Sequence, residues 1–181
     1  MKRVLIALLL LITITCQRAS KTPDTTATTH PVPRLVADTT LHPLEADSIV
    51  LERGLCYGTC PAYRVAVTRS GLVHFESLTP GDSGRKATDT HGTADAFEGL
   101  AIQLLISDFL ALPDSIASDE RFGARCATDH PTAVVTVYIG ARSKQVVDYL
   151  GCHWGPAALR ELEDMIDRVS QSQRWTRPRL G

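Results

Sequence analysis

Two cysteines four residues apart, Cys56 and Cys60, are the part of this chain best suited to chemistry. They stand in the segment Cys56-Tyr57-Gly58-Thr59-Cys60-Pro61. As thiolates they would suit Cu(I), a soft ion, with His153 as a distant third ligand. As a dithiol they would serve redox exchange, provided their pKa values are lowered. Cys126 and Cys152 would complete either a four-thiolate zinc site or a pair of disulfides. A second kind of chemistry would need Asp129-His130 and Asp148 as an acid–base pair.

Each possibility has a plainer competitor. Exported copper-delivery proteins of thioredoxin-like fold also use a C-x-x-x-C-P segment, with a strand leading in and a helix leading out. Here Ala62 to Thr68 alternates with a period of two, so a strand follows the cysteines and no helix N-terminus lowers their pKa. The pair then reads as a structural bridge, with Gly58 allowing a tight turn. Four cysteines allow three pairings, and spacing alone does not select among them. Cys126 precedes an expected hairpin and Cys152 follows it, which favours Cys126–Cys152 with Cys56–Cys60 paired locally. Zinc is disfavoured by an oxidising compartment. No activated nucleophile accompanies Asp129, His130 or Asp148, and Thr128 with Asp129 is expected to fix a turn. Gly81 to Lys86 has the wrong spacing for a phosphate loop. His74, His91 and His153 show no metal-ligand spacing. No catalytic residue, metal or cofactor is expected.

Aromatic residues offer a binding alternative. Tyr57, Tyr63, Asp129 and Trp154 form the candidate binding surface, which Trp175 could join; the competing reading for all these aromatics is packing over a disulfide or plugging the end of the sheet. The formal charge is −1 and no Lys/Arg run occurs, so nucleic acid is not an expected partner.

The chain opens with Lys2 and Arg3, followed by an apolar run from Val4 to Ile14. That run is short of the roughly 20 residues a membrane-crossing helix needs, and it has the parts of an export signal. Cys16 resembles the lipid-modified cysteine of bacterial lipoproteins, although Thr13 and Thr15 stand where that pattern holds Leu and a small residue. Ordinary cleavage near Ala19 is the competing reading. Gln17 carries no Asp-type inner-membrane retention signal, which that resemblance takes to imply the outer membrane. Residues 1–15 are thus expected to be a signal peptide and 16–43 a lipid-anchored, Thr/Pro-rich tether. The tether holds too little apolar surface to offset the entropy of ordering it.

Residues 44–177 read as one α+β domain. Strands are expected over Ser48–Arg53, Ala62–Thr68 and Leu72–Ser77, the last two joined through Arg69-Ser70-Gly71 with Val67 opposite Val73 and Val65 opposite Phe75. Thr79–Thr90 is expected to be a loop or a short edge strand. A helix capped by Thr93 carries Phe97, Leu100, Ala101, Leu104 and Leu105 at helical spacing. A second hairpin turns around Gly140, and a final helix starts with Pro156 in its first turn. Leu159, Leu162, Ile166 and Val169 form its apolar stripe. The expected order is βββαββα, with about five antiparallel strands and both helices on one face.

Ile49 to Val65, reading IVLERGLCYGTCPAYRV, resembles the hallmark of a bacterial family known as domain of unknown function 6438. Thr128 to Thr132, Val147-Asp148-Tyr149 with Gly151-Cys152, and the closing helix ahead of Arg174-Trp175 are similar as well. The resemblance implies a compact exported domain, often lipid-anchored, and brings no catalytic residues with it. The expected role is a non-catalytic binding or structural domain, tethered to a membrane through an N-terminal lipid and meeting an envelope protein or ligand. The alternative is a periplasmic redox or copper-handling protein using Cys56 and Cys60.

Overall fold

A computed structural model describes residues 41–89, 92–122 and 126–176. Cys16, the signal segment, the tether up to residue 40, and His91 lie outside the described residues. Six strands form one antiparallel sheet: β1 (Ser48–Arg53), β2 (Tyr63–Thr68), β3 (Val73–Ser77), β4 (Lys86–Asp89), β5 (Thr132–Ile139) and β6 (Arg142–Tyr149). Their spatial order is β4-β3-β2-β1-β5-β6. The helices are α1 (Ala94–Ile106), α2 (Ala157–Ser170) and a single turn, α3 (Gln173–Thr176). The architecture is α+β.

The strands obey their alternation. Ile49, Leu51, Val65, Val67, Val73, Phe75, Val135, Val137 and Val146 turn to one face and are buried. On α1, Phe97, Leu100 and Leu104 pack into the same core, as do Leu159, Leu162 and Ile166 of α2. The sheet's other face carries exposed or half-buried positions such as Glu52, Arg64, Thr136 and Tyr138. Both long helices therefore cover one face.

Register follows turn chemistry. Val67 pairs with Val73 and Val65 with Phe75, across a loop in which Gly71 takes φ +83°. Thr93 caps α1 by accepting from Ala96 N at 3.1 Å.

Four details depart from the sequence expectation. The sheet has six strands, since Lys86–Asp89 pairs with β3 from Glu76↔Lys86 to Val73↔Asp89. It is an edge strand, so polar residues satisfy all but its one core-facing side. Pro156 sits at the N-cap of α2 and not in its first turn. Leu105 lies on the outer side of α1. The tether's last residues belong to the domain: Leu41 packs against the core and Pro43 is buried in a 3-10 turn, Pro43–Glu45.

Gly71 has a second task. A Cβ there would meet the carbonyl oxygen of Gly92 at 2.5 Å, so the β2–β3 turn touches the approach to α1 backbone to backbone. Gly71→Ala is expected to destabilise the domain by about 2 kcal/mol or more, combining left-handed strain with that collision. Gly81→Ala, at φ +85° with open space around it, should cost only the strain, about 1 kcal/mol. Urea denaturation of the two variants checks the difference.

Candidate functional site

The antiparallel topology sends one set of loops to a single end of the sheet. β1, β3 and β6 end there, while β2, β4 and β5 begin there. Both disulfides are at this end: Cys56–Cys60 in the β1–β2 loop, and Cys126–Cys152 between the segments flanking the β5–β6 hairpin. Backbone bonds knit the loops further. Gly54 N donates to Thr132 O, Tyr57 N to Asp129 O, and Ala127 N to Gly151 O. Cys152 is fully buried, whereas Cys56 and Cys60 are half-buried.

Three of the four candidate surface residues stand on these loops. Tyr57 is 90 % exposed and Trp154 is 68 % exposed. Asp129 is exposed in a turn at φ +67°, a conformation that Asp tolerates. Leu55 adds a further exposed apolar side chain. Tyr63 does not belong with them. Its parity on β2 turns it into the core, where its phenol donates to Asp167 Oδ1 at 2.6 Å.

A groove of about 810 Å³ runs beside the Cys56–Cys60 bridge. Pro61, the bridge, Thr79 and Arg85 line it, with Phe75 and Trp175 supplying aromatic surface. Arg85 lies over the Phe75 ring, 5.4 Å from its centroid, and pairs with Asp82 at 2.8 Å. It also donates to the carbonyl of Trp175, which ties α3 to the β3–β4 loop. Trp175, Phe75 and Tyr63 follow one another, the first pair tilted with centroids 5.0 Å apart and the second stacked at 5.8 Å. The stack leads from the groove into a buried polar layer.

That layer is one cross-strand row. Ser77, Tyr63, Arg53, Ala133 and Asp148 are successive partners on β3, β2, β1, β5 and β6, all on the helix-covered face. Ala133, small and between Arg53 and Asp148, leaves room for α2 to lower its own polar stripe of Arg160, Glu163 and Asp167. Arg53 donates through Nε and Nη2 to Asp167 Oδ2 at 3.1 and 2.9 Å, and through Nη1 to Glu163 Oε2 at 2.8 Å. Arg160 Nε donates to Asp148 Oδ2 at 3.1 Å. Ser172 Oγ donates to Asp167 Oδ1 at 2.8 Å.

Burial and charge move the pKa values here. Burial, then the neighbouring Asp167 carboxylate, pushes the Tyr63 phenol up to about 12. Burial pushes the Glu163 carboxyl up to about 8; Arg53 opposes this, and the Asp148 charge adds to it.

Arg53, Arg160, Glu163 and Asp167 were absent from the sequence-derived candidates. The signal was parity. Arg53, Tyr63 and Asp148 occupy positions where their strands otherwise hold core residues, and Glu163 lies one turn from Leu159.

The candidate acid–base residues fall in different environments. Asp148 is buried under α2, while Asp129 and His130 are exposed on a loop. His130 N donates to the Tyr149 hydroxyl. Among the described residues no cluster of three or more His, Cys, Asp or Glu side chains is arranged to hold a metal ion.

Removing Arg53 would leave the Asp167 carboxylate without its cation and Glu163 Oε2 without its donor. Arg53→Ala is expected to cost about 3–5 kcal/mol in chemical denaturation. A loss below about 1 kcal/mol would show that the layer is solvated well enough to do without it.

Residues 47–170 match the family model described as Domain of unknown function (DUF6438). No curated protein matches the chain. With more than half of its length covered, the chain belongs to the DUF6438 family.

Proposed function

We propose that this chain is a non-catalytic binding domain of the bacterial envelope, exported, anchored through a lipid on Cys16 and held off the membrane by its Thr/Pro-rich tether. The ligand-facing part would be the loop end carrying Tyr57, Asp129 and Trp154. One observation carries this reading. Both disulfides and the cross-loop backbone bonds fix the end of the sheet where Leu55, Tyr57 and Trp154 are left exposed. Rigid, exposed aromatics offer contact area at low entropic cost, the usual make-up of an interface anchor. The partner would be an envelope protein or ligand, with the outer membrane as the expected site of anchoring.

The test uses the full-length protein expressed in cells. Tyr57→Ala/Trp154→Ala should abolish in-cell cross-linking to the envelope component that the wild type captures. Thermal stability should stay within about 0.5 kcal/mol, as for other surface changes. Equal cross-linking by the double variant would place the binding surface elsewhere. Shortening the segment 17–40 should reduce the same cross-link without altering the fold, if the tether serves reach.

A second reading assigns redox or copper handling to Cys56 and Cys60, and its favourable observation is that this half-buried bridge lines the groove. Against it, β2 follows the cysteines, so no helix terminus stabilises a thiolate there. Alkylation of the mature, non-reduced protein separates the two. Binding predicts no free thiol among Cys56, Cys60, Cys126 and Cys152. A reactive Cys56/Cys60 pair, or copper retained on purification, would favour the second reading.

A further inference from the structure

Two oxygen atoms in the polar layer lack a partner. Asp148 Oδ1 and Glu163 Oε1 are buried, and neither meets a hydrogen-bond donor. Their sister oxygens are satisfied, Asp148 Oδ2 by Arg160 and Glu163 Oε2 by Arg53. The residues themselves are sealed, at 0 % and 1 % exposure. An ionised carboxylate oxygen in such a place has lost its hydration without replacement. Two of them in one layer would also repel each other through a low dielectric. The charge balance points the same way. With every carboxyl ionised, the guanidiniums of Arg53 and Arg160 would face four carboxylates: Asp148, Glu163 and Asp167 within the layer, and the solvent-exposed Asp164 at 3.4 Å from Arg53. A single proton makes the layer neutral.

We propose that Asp148 and Glu163 share one proton, carried on Glu163 Oε1 and donated to Asp148 Oδ1. The result is a carboxyl–carboxylate hydrogen bond that fastens α2 to β6 and that alkali removes.

The charged groups around Glu163 come from several elements. Arg53 reaches it from β1, Asp148 from β6 and Arg160 from α2 itself, while Asp167 and the exposed Asp164 of α2 share the Arg53 guanidinium with it. Tyr63 of β2 is turned to Asp167 and stays neutral, its phenol held at about 12 by burial and by that carboxylate. From α1, Gln103 donates its amide to Ala158 O. Burial of Glu163, only partly opposed by Arg53, raises its carboxyl to about 8, so the proton is in place at neutral pH. In the unfolded chain the same group ionises near 4.5. Unfolding therefore releases a proton between those two values. This contribution is complete below about pH 4.5, declines as pH rises, and is gone above about pH 8.

Infrared difference spectroscopy and thermal unfolding on the intact protein test the proposal together. At neutral pH the wild type should show the C=O stretch of a protonated carboxyl. That band should vanish above about pH 9 and be missing in Glu163→Gln. The wild-type Tm should fall between pH 4.5 and 8, and Glu163→Gln, whose amide can donate to Asp148 at any pH, should fall less. If Glu163→Gln does not fold, the wild-type spectrum and Asp148→Asn decide. An asparagine there removes the repelling charge, so the band should titrate away at a lower pH. A wild-type spectrum without a protonated carboxyl at neutral pH overturns the proposal, as would a Tm slope identical in wild type and Glu163→Gln.

Discussion

Arg53 enters the core from the last position of β1, and a guanidinium there dictates its surroundings. It cannot be neutralised, so the interior must bring it carboxyl oxygens as acceptors and fix their geometry. Asp167 supplies a two-nitrogen contact and Glu163 a third bond. Both side chains hang from α2, so meeting Arg53 sets how that helix lies on the sheet. An apolar stripe of Leu159, Leu162 and Ile166 would tolerate a small rotation or slide, because dispersion contacts are not directional. Fork-shaped hydrogen bonds are directional. The layer therefore acts as a registration device more than as a source of stability, in keeping with the large desolvation cost of burying ions.

Registration of α2 reaches the loop end by two short routes. Its N-terminus follows directly from Cys152, and Arg160 also donates to the Cys152 carbonyl. Its C-terminus turns through Gln171 and Ser172 into α3, which delivers Trp175 onto Phe75 and beside the Cys56–Cys60 bridge. The disulfides then have a narrower task than holding the domain together. By loop entropy Cys126–Cys152 contributes roughly 3 kcal/mol and the short bridge less. Their placement rigidifies one end of a sheet whose core is already packed.

Patterns with a short range were legible in the sequence. A short apolar run marked β1, alternating apolar residues marked β2, β3 and β5, Gly71 fixed the hairpin register, and Thr93 marked the start of α1. The disulfide pairing followed from where Cys126 and Cys152 flank a hairpin. Less legible was anything requiring several strands at once. Tyr63 read as surface because an aromatic beside cysteines suits either role, and only the cross-strand row shows that it faces Asp167. Arg53 gives no local sign of its pairing, since Glu163 and Asp167 lie 110 and 114 residues away. The edge strand β4 was ambiguous for a similar reason: Lys86, Thr88 and Asp89 around a lone Ala87 become a strand only once β3 is beside them.

A double-mutant cycle between Arg53 and Asp167, measured by urea denaturation near neutral pH, tests the central claim most directly. If the guanidinium and this carboxylate register α2 on the sheet, Arg53→Met and Asp167→Asn should be strongly non-additive, with a coupling above about 1 kcal/mol. A coupling near zero, as exposed ion pairs often give, would mean that apolar packing alone positions the helix.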